Sequence, residues 1–422
     1  LALWPKTSQM QILTLDKLVH GGQAIARLDN GKRVFVWNGL PGEKVAFELV
    51  RDKKDYAEAI AVDIIDASTE RITPKDTAYL STSPWQMMTI EAEQAHKAHI
   101  LAETIERAGI TLHESQRWHG SDQQWHYRNK MEYSFSADER GLQLALFERG
   151  SHRMQVVQGS SIARLELDEV ARQIRDILQA HAVNARSLKT LVLRCTQSGQ
   201  VAAALFVKDK SFPHLDAFND VCQAVAVYYS NPNSPASNIS EELYSYGNMT
   251  LTDAIHGVPT HYDVHSFFQV NLEPFELALH LMRNALKSVS GIADFYAGVG
   301  TMVRPLEATK MVEVDTRNIK FARENVAGTA KIIHSSAEKS LEHIPSSGGL
   351  VLDPPRAGLH KKVTQAIGIA QPDVIAYLSC NPSTQFRDIA LLQDHYRVAS
   401  VDGYNFFPRT PHIESLVILE RI

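Results

Sequence analysis

Cysteine is scarce in this chain: three residues in 422, Cys195, Cys222 and Cys380, lie far apart with no C-x-x-C pair. Neither a disulfide framework nor a cysteine-rich zinc site can be built from them, and a reducing compartment is the expected setting. Long hydrophobic runs are missing as well. No stretch reaches the roughly 18 consecutive apolar residues of a membrane-spanning helix, and the first ten residues lack the apolar run behind a basic segment that marks an export signal. A cytoplasmic protein with no membrane partner is expected, and the start at Leu1 rather than Met suggests a truncated or processed form. Nor is positive charge in excess. With 43 Lys and Arg against 48 Asp and Glu, net charge -5, the chain is not one that grips nucleic acid wherever it lands, so any nucleic-acid surface must be local. Repeats and low-complexity tracts are absent. What remains, 44% hydrophobic and 22% charged, is ordinary globular composition, enough at about 150 residues per domain for two to four domains.

Three regions differ in rhythm. From Gln11 to Ser68, short β-branched and apolar runs alternate with turns at Gly21-Gly22, Asn30-Gly31 and Pro41-Gly42. This spacing predicts a small OB-like β-barrel over residues 1–68. Lys32, Arg33, Arg51, Lys53, Lys54 and Tyr56 supply the cations and aromatic that such a barrel uses against phosphates and bases, although a solvated polar rim has the same composition. Residues 69–258 mix helices and strands and are expected to form a central α+β domain. A helix starts at Thr89, within 89–115, as a candidate to pack on the following domain. Strands are expected within 127–162, at 191–193 and at 202–207, with helices over 165–181 and 212–227 and a loop at 231–238. From 259 to 422, helix and strand alternate as in a doubly wound, Rossmann-like α/β sheet.

Chemistry-bearing residues fall at the ends of that sheet's strands. Asp294-Phe-Tyr296-Ala-Gly298-Val-Gly300-Thr301 follows an apolar strand and is expected to precede a helix. Its glycines let backbone approach a nucleotide-like ligand, though glycine turns also serve strand-to-helix packing alone. A side chain at Gly300 is expected to enter the ligand's space. Asp315 ends the next strand, where a carboxylate can bind ribose hydroxyls. Asp353-Pro-Pro-Arg356 holds an acidic loop extended, and Ser379-Cys380-Asn-Pro382 places a cysteine on a Pro-stiffened loop at the same edge, the address of a nucleophile. Cys195 and Cys222 read instead as small buried hydrophobes, the former in a strand and the latter in an apolar helix.

Together with Phe268-Gln269-Val-Asn271 and His412-Ile-Glu414, these ordered segments resemble the SAM-dependent RNA 5-methyluridine methyltransferases. Arg128-Asn-Lys130 and Phe147-Glu-Arg149-Gly-Ser-His152 resemble that family's RNA-facing strands, and residues 1–68 resemble its TRAM domain, so the resemblance covers nearly the whole chain. It implies an enzyme that methylates C5 of a uridine in structured RNA, ribosomal RNA first and transfer RNA second. Cys380 would attack C6, Glu414 would remove the C5 proton, and Asp353 would hold the uracil edge or the cofactor. SAM would be lined by Gln269, Tyr296, Gly298, Gly300, Thr301, Asp315 and Asp353. RNA would be met by Lys32, Arg33, Arg51, Lys53, Lys54, Arg128, Lys130, Arg149 and His152. Serines stand where the iron-sulfur members carry cysteines, so no cluster and no other metal is expected; the working form is expected to be a monomer. Two readings compete: an RNA-binding or RNA-folding protein on the same scaffold without catalysis, and a SAM methyltransferase with another acceptor. Cys380 weighs against the second, because amine acceptors need no covalent nucleophile.

Overall fold

In the computed structural model, which describes residues 11–422 except 113, 152 and 235, the chain divides into two compact units. One comprises residues up to 100 with 147–153 and 409–412, the other the remainder. The alternating text of the first unit becomes a six-stranded sheet in the order Gln11–Thr14, Lys44–Asp52, Tyr56–Asp66, Arg33–Trp37, Ala24–Arg27, Lys17–Leu18. Alternate residues such as Val34, Val36, Ala57, Ala59 and Ala61 are buried, and their neighbours face out. The Pro41-Gly42 turn delivers Glu43 to the interior, where Arg71 donates to both carboxylate oxygens at 2.5 and 2.8 Å and the Leu40 N–H adds a third bond. Removing one member of such a buried pair costs about 3–5 kcal/mol.

In the second unit, a seven-stranded sheet runs Met154–Val156, Gly141–Phe147, Lys130–Asp138, Leu188–Cys195, Val201–Val207, Ala224–Tyr229, Glu241–Gly247, with the helix Leu165–Ala180 packed on it. Here the sequence reading over 212–227 is corrected. A short 3-10 turn, Asp216–Asp220, precedes a strand in place of the expected helix, and Cys222 sits half-buried between them. The reason is burial on both faces: Ala224 to Val227 are all covered, and a continuous apolar run inside a sheet has no helical stripe to show.

The last region forms an eight-stranded sheet in the order Lys331–His334, Lys310–Glu313, Ala293–Phe295, Gly349–Leu352, Val374–Ser379, Glu414–Arg421, Tyr396–Tyr404, Arg117–His119. The first five strands are parallel, as the helix–strand alternation implied, with helices Leu272–Leu286, Thr316–Asn325, Lys361–Ala370 and Pro382–Ala390 between or beside them. Glu414–Arg421 is antiparallel to Val374–Ser379, so its first residue lies at the edge where the parallel strands end. The helix expected after the glycine turn does not form. Residues 298–307 are successive turns with positive φ at Gly298, Gly300 and Glu307, and Pro305 offers no N–H. Only two residues, Ala308 and Thr309, then remain before the next strand.

Candidate active site at the carboxyl edge of the parallel strands

Cys380 follows the strand Val374–Ser379, and Glu414 opens its antiparallel neighbour. Since Ser379 pairs with Ser415, Cys380 and Glu414 are the next residues outward on adjoining strands. The fully buried Gln385, one turn into the helix that follows Cys380, locks this junction: its Nε2 donates to the carbonyls of Tyr377 and Ser415, and the Ser415 hydroxyl donates to its Oε1 at 2.5 Å. The Asp353-Pro-Pro-Arg356 loop is tied to the same helix start. The Arg356 carbonyl accepts from Asn381 Nδ2 at 2.8 Å and from the Thr384 hydroxyl at 3.1 Å, and Leu359 N–H donates to Asp388 at 2.7 Å. Gly358, at φ +77°, has to be glycine, because a Cβ would lie 2.6 Å from the Asp388 carboxylate.

The electrostatics of this pocket are those of crowded acids. Burial pushes the Cys380 thiol up to about 11, helped by the charges of Glu414 and Asp353, and the Arg356 guanidinium, hydrogen-bonded to it, works in the opposite direction. Burial raises Asp353 to about 7. Glu414, 4% exposed, is raised well above the carboxylate range by burial and by Asp353, with Arg356 again opposing. A thiol, two carboxyls and one guanidinium therefore share one small volume.

Toward the strand Ala293–Phe295 the site continues into the glycine turn. Asp294 is fully buried with neither carboxylate oxygen hydrogen-bonded, and burial together with Asp353 and Glu313 holds it well above its ordinary range. Glu313, missed in the sequence, accepts the N–H groups of Gly298, Val314 and Asp315 at 2.8, 2.9 and 2.6 Å. Asp315 is exposed and caps the helix Thr316–Asn325 through the N–H groups of Arg317 and Asn318. Its N-cap role was hidden by its equally plausible place at a strand end. The space around Gly298 is open, its nearest neighbour to an added Cβ being Phe267 at 3.9 Å, and Phe267 is itself 62% exposed. Gly300 is different. A Cβ there would lie 2.6 Å from Val326, inside the core, so the expectation that a side chain at this position enters the ligand's space is corrected: it would meet packed core, and φ +85° favours glycine. Thr301 is half-buried in the same turns, and Tyr296, at φ +65°, is half-buried against the core containing Leu352 and Leu359.

The segment Phe268–Asn271 is held through its carbonyls and through two side chains, Asn271 Nδ2 donating to the Phe406 carbonyl at 3.0 Å and the Phe268 ring stacking on Tyr262. Asn129 donates Nδ2 to the Gln269 carbonyl at 3.0 Å, and buried Arg194 reaches the Phe268 carbonyl at 3.3 Å while lying over the Phe268 and Tyr262 rings. The Gln269 side chain is half-buried. Lys130 pairs in register with Arg194 and is mostly buried, which lowers its amine to about 8, and Arg128 Nε donates to the Lys130 carbonyl.

Among the basic residues of the N-terminal sheet, Arg33, Arg51, Lys53 and Lys54 are exposed near one end, beside the edge-to-face pair Phe35–Tyr56. Lys32 is ion-paired to Asp52, and Arg51 lies 3.6 Å from Glu58. Arg149 is spent structurally, with its guanidinium 4.1 Å over the Trp37 ring and Nε donating to the Leu80 carbonyl. His152 lies outside the described residues. Among the described residues, no group of three or more His, Cys, Asp or Glu is placed to hold a metal ion, and no helix is long and apolar enough to cross a membrane.

Residues 302–422 match the family model described as tRNA (Uracil-5-)-methyltransferase, and residues 8–62 match that of the TRAM domain. An uncharacterized RNA methyltransferase of Enterococcus faecalis is 27% identical over 99% of this chain and 98% of its own length. One from Thermotoga maritima is 28% identical over 97% and 99%. The fold resembles that of the Pyrococcus abyssi tRNA (uracil-54, C5)-methyltransferase, solved in complex with S-adenosyl-L-homocysteine. The TM-score is 0.77 at 21% identity, covering 97% of this chain and all of that one.

Proposed function

We propose that this chain, which belongs to the RNA (uracil-5-)-methyltransferases carrying a TRAM domain, transfers a methyl group from SAM to C5 of a uridine in structured RNA through a Cys380–C6 adduct. The observation that carries this reading is the junction of Cys380 with Glu414 on paired strands, with Arg356 facing both.

The residues beside the glycine turn fit a cationic ligand. Asp294 presents two buried, unpartnered oxygens, Glu313 brings a second carboxylate, and Gly298 leaves open space under Phe267. These residues, with Gln269, Tyr296, Thr301, Asp315 and Asp353, would hold SAM, which supplies an electrophilic methyl group. The rest is done by this chain's side chains. The target base must leave its stack to reach the pocket. Cys380 Sγ, as thiolate, adds to C6, and the C5=C6 pair shifts to make C5 nucleophilic. Burial makes the thiolate scarce, so the Arg356 guanidinium is the group that favours it. Once C5 carries the methyl group, Glu414 accepts the C5 proton. The C–H pair re-forms C5=C6, and Cys380 leaves as thiolate. A carboxylate made more basic by burial and by Asp353 takes this proton more readily than an exposed one.

The exposed end of the N-terminal sheet, with Arg33, Lys53, Lys54 and Tyr56, is our candidate for one phosphate and base contact, and Arg128 and Lys130 for another. Mapping 5-methyluridine in ribosomal and transfer RNA from a strain lacking this protein, and from one restored with Cys380→Ala, tests the reading. One site lost in both strains and regained only with the unmutated chain is expected. A site regained with Cys380→Ala removes the covalent mechanism, and no lost site favours the scaffold without catalysis.

A further inference from the structure

Arg409, five residues before Glu414, has a backbone conformation that residues other than glycine adopt only rarely. It is 3% exposed, its φ is +66°, and it is not glycine. Such a conformation persists only where surroundings over-determine it, and outliers of this kind gather beside functional residues. The surroundings here are specific. Both oxygens of Glu93 accept the Arg409 backbone N–H, at 2.9 and 3.1 Å; the Trp85 N–H donates to its carbonyl at 3.1 Å; its Nη1 donates to the Met88 carbonyl at 2.7 Å. Glu93 is in turn paired with Lys97 at 2.8 Å, and both side chains are fully buried.

The next residues are gripped from the N-terminal sheet. Gly22, at φ +99°, sits so close to Pro411 that a Cβ would lie 2.3 Å from the proline's own Cβ, and Trp85 Nε1 donates to the Gly22 carbonyl at 3.0 Å. Residues 409–412 thus belong to the first compact unit, and the chain passes from it to Glu414 in two residues. A buried carboxylate paired to a buried lysine is costly to keep unless geometry repays it. Here it fixes the N–H of one strained residue in the segment that delivers the base.

We propose that Glu93, with Gly22 behind Pro411, is a positioning residue for Glu414: it fixes the backbone of the segment that leads, five residues on, into the base. The proposal rests on Glu414 being the base.

The test separates addition from elimination, using in-vitro-transcribed tRNA and large-subunit rRNA, with and without 5-fluorouridine. Fluorine cannot leave C5 as a cation, so trapping on 5-fluorouridine RNA reports Cys380 attack and methyl transfer but needs no base. Glu93→Leu/Lys97→Met removes the acceptor together with its paired lysine, leaving Glu91 as the carboxylate facing the Arg409 guanidinium, and Glu93→Gln/Lys97→Met restores one acceptor oxygen. The first should keep SAM affinity within about twofold and trapping within a few-fold, lose turnover at least tenfold, and accumulate a covalent species on ordinary RNA; the second should recover much of the turnover. Gly22→Ala, which pushes on Pro411 from the other side, should repeat the first pattern should the double variant fold poorly. Unchanged turnover, or trapping that falls in step with turnover, overturns the proposal. Glu414→Gln is the control: a covalent species there and none in the positioning variants refutes the positioning role alone, and none in Glu414→Gln refutes the base assignment beneath it.

Discussion

The carboxylate of Glu313 accepts the N–H of Gly298 at 2.8 Å, while Asp315, two residues on, turns its own carboxylate back to cap a helix. Of two acids on one strand end, one serves the glycine turn and the other the helix. Glu313→Gln is expected to weaken SAM binding about tenfold and, because its amide turns a donor toward backbone N–H groups the carboxylate accepted, to lower the melting temperature as well. Asp315→Ala is expected to cost stability of about 1 kcal/mol, as the loss of an N-cap does, with the smaller effect on SAM. Calorimetric titration beside thermal melts checks both, and the reverse ranking on SAM would return the ligand role to Asp315.

The two glycines of the turn should also part company. Alanine at Gly300 meets Val326 at 2.6 Å in a core that cannot open, so Gly300→Ala is expected to destabilise by about 1–3 kcal/mol. Alanine at Gly298 meets nothing closer than 3.9 Å. Gly298→Ala should fold with modest strain from its φ of +56° and lose SAM affinity instead. Equal melting temperatures for the two variants would contradict this division.

What the sequence made legible follows from periodicity and punctuation. Strands Gly349–Leu352 and Val374–Ser379 and helix Lys361–Ala370 stand where the apolar spacing put them, because each is bounded by Gly, Pro or a polar cap. The run Ala224–Tyr229 was misread because burial on both faces erases the difference between a strand and a buried helix. Asp353, Cys380 and Glu414 were legible through the motif order, and the register of Ser379 with Ser415 is what makes neighbours of two residues 34 positions apart in the chain. Glu313, Gln385 and Glu93 were not legible. Each acts on a backbone group contributed by a distant segment, and no spacing in one sequence encodes that partner.

Stability should fall with pH because of the pocket. Burial lifts Asp353 to about 7 against roughly 4 for an unperturbed carboxyl. The folded chain therefore keeps a proton that the unfolded chain releases over that interval. The resulting stabilisation is present below about pH 4, declines as pH rises toward 7, and is absent above. Glu414, also raised, acts with the same sign. Asp353→Asn removes the dependence, so it should melt higher than the unmutated protein at pH 8, with the gap closing toward pH 5, while methylation is lost. A variant that melts lower at pH 8 would show that Asp353 is stabilising as a carboxylate, against the burial argument.

Cys380, Glu414 and Arg356 should fail at three distinguishable points. Cys380→Ala cannot make C5 nucleophilic and should bind RNA with neither methylation nor adduct. Glu414→Gln keeps the thiol and removes the base, so it should accumulate a covalent protein–RNA species that survives denaturing gels. Arg356→Met leaves both but deletes the cation that opposes the rise of the Cys380 thiol to about 11. Its adduct should therefore form at least tenfold more slowly at pH 7, and because both thiols then sit far above the working pH, the deficit should hold through mildly alkaline buffer. Arg356→Lys, which keeps the charge and loses the planar fork, should fall between. Methylation that persists in Cys380→Ala would end the covalent mechanism. Iodoacetamide, which needs no RNA, should alkylate Cys380 several-fold more slowly in Arg356→Met than in the unmutated protein at the same pH; an unchanged alkylation rate beside slow adduct formation would mean that Arg356 holds the loop or the RNA rather than the thiolate.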